Sequence, residues 1–193
     1  DVDDEPVPTV SLRADGTDDG TLVLPGSSVR GALRSRASRI ARTVLVGALG
    51  HELDDWSKSG VGVHDQLAAD PTLVRDLFGT TERRGALSVL DTLASSAGTC
   101  RTITHNAGDR WTGGVAEGAL YSEEVHDVEW NAITLELDPN RLPADDNRRR
   151  AAWCLLGLVL AELATGTLPL GSRGTRGLGQ VEVKGLTVTG LEW

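Results

Sequence analysis

From residue 29 to 44 apolar side chains return every three or four positions: Val29, Leu33, Ala37, Ile40 and Val44. That step is the period of an α-helix with one buried stripe, and it predicts a helix from about residue 28 to 49. Ser27 or Ser28 is expected to cap its start, behind a short apolar strand at 21–24 (TLVL) and the turn formers Pro25 and Gly26. Residues 145–166 (DDNRRRAAWCLLGLVLAELATG) predict a second amphipathic helix, capped by its acids and stopped at Gly166.

Elsewhere the period shortens to two. Residues 129–137 (EWNAITLEL) alternate like a strand, and the chain after the glycines of 171–179 (QVEVKGLTV) does so again. Residues 86–94 (ALSVLDTLA) read as a strand, with a short helix as the alternative. Gly60, Gly62, Pro71 and Gly79 break any long element in 50–85, and residues 105–125 read as an extended loop or irregular hairpin. The order is helix, strand, strand, helix, glycine loop, strand. One strand ahead of it completes βαββαβ, the α+β ferredoxin-like (RRM-like) core. The stretches at about 50–85 and 105–125 would then be insertions. That first strand is wanting at the N-terminus and methionine is absent even at position 1, so the sequence is expected to begin inside a longer chain.

At 193 residues, 39% hydrophobic and 24% charged, the chain can bury a real core and reads as a single domain. The apolar run Leu155 to Ala161 is too short to span a membrane, and the acidic start is no signal segment. A cytoplasmic protein is expected. Cys100 and Cys154 make no metal pattern in their spacing and read as two buried thiols.

The net charge of -9 argues against a nucleic-acid partner until its distribution is considered. Residues 1–20 hold seven acids and one arginine, a balance of -6, whereas residues 27–42 hold Arg30, Arg34, Arg36, Arg39 and Arg42 with no acid. Arg30 and Arg34 share a face near a helix start, where N–H groups and the dipole favour an anion. Nearly all the positive charge is arginine, which suits phosphate and stacked bases but is equally the product of a GC-rich genome.

Three further clusters carry candidate chemistry. Gly171, Gly174, Gly177 and Gly179 enclose Arg173 and Arg176 in a spacing unlike a dinucleotide fingerprint, so the loop is either a backbone that approaches phosphate closely or a plain surface turn. In HNAGDRWTGG, His105, Asp109 and Arg110 could serve acid–base chemistry and Trp111 could stack on a base; a salt-bridged loop with one packed tryptophan is the alternative. Asp1, Asp3, Asp4 and Glu5 before Pro6 could hold Mg²⁺, or form an exposed acidic terminus. His51, His64 and His126 lie in no ligand spacing and read as surface residues.

Taken together and in order, LPGSSVRGALRS, HNAGDRWTGGVAEGALYSEEV and LPLGSRGTRGLGQVEV resemble the signature segments of the RAMP superfamily of CRISPR-associated proteins, most of all the backbone subunits of type III effector complexes. The turn at Leu24 to Arg34 matches the family's I-P-G-S-S-x-[KR]-G-x-[LIF]-R, while Gly108 stands where the middle motif has isoleucine. The resemblance implies an RRM-like core, a thumb built from a central insertion, and head-to-tail assembly with other subunits along guide RNA. It implies RNA contacts at Ser27, Ser28, Arg30, Arg34, Arg110, Trp111, Gly171, Arg173, Gly174, Arg176, Gly177 and Gly179. Members that cut target RNA carry an aspartate in a D-x-P context; Asp4-Glu5-Pro6 matches it, with Asp3 one residue away and Mg²⁺ as the implied cofactor. A scaffold without cutting, and a metal-independent guide-processing endoribonuclease using a histidine such as His105, are the alternatives within the superfamily.

Overall fold

The computed structural model describes residues 11–12, 21–50, 62, 65, 69–108, 111–171 and 174–190. Asp3, Asp4, Asp109, Arg110 and Arg173 lie outside them. The chain divides into two compact units, residues 1–24 with 91–133 and residues 25–90 with 134–193.

The second unit is helical. Helices α1 (Gly26–Leu49), α2 (Thr72–Phe78) and α3 (Asp146–Ala164) pack on one another. Strand β3 (Leu87–Val89) lies against α1 and α2 and pairs antiparallel with the later strand Leu135–Leu137. Along α1 the interior is Val29, Leu33, Ala37 and Ala41, while Ile40 is half-buried and Val44 is 50% exposed. At 3.6 residues per turn, steps of four rotate the buried line by about 40° each. The buried line therefore winds round the helix and leaves the expected stripe before its end.

The serines do not cap α1. Pro25 occupies the cap position in extended backbone with no side-chain cap, and its carbonyl accepts from the Ser28 and Val29 amides at 3.0 and 3.2 Å. Gly26 is demanded by packing, since a Cβ there would sit 2.3 Å from the Val89 carbonyl oxygen. Helix α2 was not expected from the sequence. It is seven residues long and is set behind Pro71, and Val74, Leu77 and Phe78 are buried. Helix α3 agrees with its pattern. Asp145 accepts from the Arg148 amide at 2.7 Å, and Gly166 at φ 71 closes the end, with Thr167 and Gly166 amides donating to Glu162 and Leu163 at 3.0 and 3.1 Å. This pair of bonds is a Schellman motif.

In the first unit β1 (Ser11–Leu12), β2 (Thr21–Leu24) and β4 (Thr92–Leu93) form an antiparallel sheet with β2 in the middle. A long two-stranded hairpin, β5 (Thr99–Gly108) and β6 (Val115–Asp127), covers the stretch read as loop or irregular hairpin, with a register shift between Asn106 and Gly108. The expected strand at 86–94 splits into β3 and β4 around Leu90 and Asp91. The expected strand at 129–137 shrinks to β7 (Leu135–Leu137) and one bridge between Ala94 and Trp130.

The alternating segment after the glycine loop is a correction: residues 178–190 form no strand. Alternation supplies a face but not a ladder, and a strand needs a second backbone to satisfy its N–H and C=O groups. Val181 and Val183 are half-buried while Leu186 and Val188 are about 60% exposed. The architecture is thus α+β, with the strands of the described residues in small antiparallel sheets. Both cysteines are exposed rather than buried. Among the described residues no helix is long and apolar enough to cross a membrane.

Candidate nucleic-acid interface

The arginine row of α1 is largely engaged within the fold. Arg30 donates from Nη2 to the Phe78 carbonyl and from Nε to the Leu87 carbonyl at 3.4 Å, with its guanidinium carbon 6.0 Å from the Phe78 ring centre. Burial, then the charges of Arg34 and Arg84, holds its pKa below the usual arginine value. Arg34 pairs with Asp70 at 2.8 Å, and the Ser38 hydroxyl donates to the other oxygen of that carboxylate at 2.8 Å. Arg42 donates to the Ala69 carbonyl at 2.7 Å. Arg36 makes two bonds to Glu162 of α3, one of them Nη2 to Oε1 at 2.7 Å. The Arg36 hydrogen bond draws the Glu162 pKa below its ordinary value and raises that of Arg36. These bonds fasten α1 to the segment before α2, the end of α2, β3 and α3. Arg39 is exposed.

Ser27 and Ser28 stand exposed in the first turn of α1. That turn presents the positive end of a 24-residue helix dipole, with no side chain capping it. Two neutral hydroxyls there can donate hydrogen bonds to a phosphate without a charge of their own.

The glycine loop is built by conformation. Gly171, Gly177 and Gly179 have φ of 89, 76 and 78, the left-handed region that side chains disfavour. The Leu170 amide donates to the Gly179 carbonyl at 2.8 Å, and a Cβ on Gly179 would lie 1.9 Å from the Leu170 oxygen. Gly174 opens a short 3-10 turn ending at Arg176, and the Arg176 residue is exposed. Ser27, Ser28, Arg30, Arg34 and this loop all belong to the helical unit. Trp111 belongs to the other unit, in the β5–β6 turn, and is 94% exposed, contrary to the packed alternative and suited to stacking on a base.

Two buried carboxylates, each with a partner far along the chain, escaped the sequence reading. His105 on β5 places Nε2 2.6 Å from Oε1 of Glu123 on β6, which is 2% exposed, and stacks on Tyr121 with ring centres 5.3 Å apart. Asp76 on α2, also 2% exposed, pairs with Arg148 and Arg83. A shallow depression of about 310 Å³, lined by Arg84, Ser88, Glu136 and Arg141 among others, contains none of the predicted contact residues.

A family profile described as the RAMP superfamily matches residues 6–182, taking in the Pro-Gly-Ser-Ser turn, the hairpin and the glycine loop. The chain belongs to that superfamily, whose members are CRISPR-associated RNA-binding proteins acting in multi-subunit complexes. No curated protein matches the chain.

Proposed function

We propose that the protein is a guide-RNA-binding backbone subunit of a type III CRISPR effector complex that also cuts bound target RNA. The observation that carries the reading is the uncapped start of α1, where Ser27 and Ser28 are exposed at the positive end of a long helix. Arg30 and Arg34 add fixed positive charge behind it, and the glycine loop with Arg173 and Arg176 brings close-approaching backbone and further cations. Arg110 and Trp111 supply a phosphate contact and a stacking face. The finer fold in this reading is a ferredoxin-like core in which α1 and α3 are the two crossover helices. Copies assemble head to tail on the guide, acidic surface against basic.

In the cutting step Asp4, or Asp3 beside it, is the carboxylate placed against the scissile phosphate. Bound Mg²⁺ would supply positive charge for the departing oxygen. A second reading starts from the closeness of His105 and Glu123: a carboxylate 2.6 Å from Nε2 leaves Nδ1 for a substrate proton, as metal-independent cleavage requires. Chelation separates the two, since EDTA stops only the first.

The primary test is purification of the full chain with its neighbouring subunits at native salt. A discrete small RNA should copurify and be released at high salt. Its absence, with intact assembly, would overturn the reading.

A further inference from the structure

The β5–β6 register places three ligand types on one face of the hairpin. Cys100 lies directly opposite His126, and Thr102 lies opposite Glu124. Residues two apart along a strand share a face, so the Cys100 thiol, the Glu124 carboxylate and the His126 imidazole all project to the same side. Their ligand atoms lie within 4.8 Å of one another, and Cys100 Sγ is 3.8 Å from His126 Nε2. The other face carries the His105–Glu123 pair, so the two clusters are separate.

We propose that Cys100, Glu124 and His126 form a Zn²⁺ site that clips the base of this hairpin. A tetrahedral zinc with ordinary Zn–S and Zn–N bonds sets sulfur and nitrogen about 3.6 Å apart. The observed 3.8 Å is close to that spacing before any side chain moves. Thiolate and imidazole together select zinc over the hard cations Mg²⁺ and Ca²⁺, which prefer oxygen alone. Coordination uses the thiolate, so the thiol proton passes to solvent on binding. Three protein ligands leave a fourth position for water. The gain is mechanical: a two-stranded ribbon is marginal by itself, and the ion cross-links its strands at the Thr99–Asp127 end.

Nothing in the chain's spacing announces this site, because 26 residues separate Cys100 from His126 and only the antiparallel register brings them together.

The test uses the full chain, stripped with chelator under reductant and titrated with Co²⁺ as the spectroscopic probe. One equivalent should give a thiolate-to-cobalt charge-transfer band with tetrahedral visible bands, and one equivalent of Zn²⁺ should bleach both. Cys100→Ser should remove the charge-transfer band, while Cys154→Ser, altering the exposed cysteine of α3, should leave it intact. His126→Ala and Glu124→Gln should each weaken Co²⁺ binding at least tenfold. Zn²⁺ should raise the melting temperature of the wild type and not that of Cys100→Ser. A missing thiolate band, or one that survives Cys100→Ser, would overturn the site.

Discussion

The Asp76 carboxylate accepts two hydrogen bonds from the Arg148 guanidinium, at 2.8 and 2.9 Å, and so ties α2 to α3 from a position only 2% exposed. Arg83 adds a third bond at 2.9 Å. A carboxylate this deep is tolerable only because it is paired. Asp76→Ala leaves two arginines without their anion, but both are about half-exposed and rehydrate. The expected cost is about 2–3 kcal/mol, below that of a fully buried pair. Thermal melts should fall by roughly 5–10 °C, with Arg148→Ala falling at least as far, because it strips two of the three bonds from the buried carboxylate. A melt equal to wild type would show that Asp76 is not the link between the helices.

The Arg36–Glu162 bridge predicts a pH dependence with a definite sign. Arg36 holds the Glu162 pKa below its ordinary value of 4.5. A carboxylate depressed on folding stabilises the fold above its unfolded pKa and loses that contribution as pH falls through the folded value. The melting temperatures of wild type and Glu162→Gln should therefore differ near neutral pH and converge well below 4.5. Each side chain retains nearly 30% of its exposure, so the difference is no more than about 1 kcal/mol. A gap that widens on acidification would contradict the pairing.

The two long helices were legible because their apolar period and terminal residues agree, as Asp145 and Gly166 do for α3. Helix α2 was not, since seven residues between Pro71 and Gly79 give a period too little length to register. The alternation of residues 178–190 misled for another reason: it says which side chains share a face, and nothing about a partner strand. The same limit governs the candidate site. Sequence offered Ser27, Ser28 and the glycine loop as candidates, but the partners of Arg30 and Arg34, namely Phe78, Leu87 and Asp70, come from elsewhere in the chain. The arginine row therefore serves packing whatever else it does.

That division lets the proposed RNA contacts be tested apart from the fold. Ser27→Ala with Ser28→Ala removes two exposed hydroxyls that cap nothing, so RNA affinity should fall with the melting temperature unchanged. Neutral donors release no counterions, and the salt slope should stay as it is. Arg176→Ala, in an exposed residue, should instead flatten the log–log salt slope by about 0.7 for each phosphate no longer neutralised. Arg34→Ala should weaken RNA binding and also lower the melting temperature, because it leaves the Asp70 carboxylate with the Ser38 hydroxyl but without its cation. If the serine pair, Arg176→Ala and Arg34→Ala all bind RNA as wild type does, the RNA runs elsewhere.

The proposed cutting step turns on Asp4, with Asp3 as the neighbour able to replace it. Transesterification needs the 2′-hydroxyl, the phosphorus and the leaving oxygen in line, and it needs the charge on the departing oxygen stabilised. A carboxylate beside the scissile phosphate can serve the second need only by holding a cation, since its own charge is of the wrong sign. Asp4→Asn keeps the shape and removes the charge, so target cleavage by the assembled complex should be lost while RNA affinity stays at the wild-type value. EDTA should stop the wild type in the same way, with Mg²⁺ restoring it. Cleavage that resists EDTA and ends instead in His105→Ala would transfer the chemistry to the His105–Glu123 pair. If neither EDTA nor any of Asp4→Asn, Asp3→Asn and His105→Ala alters the rate, this subunit is scaffold alone.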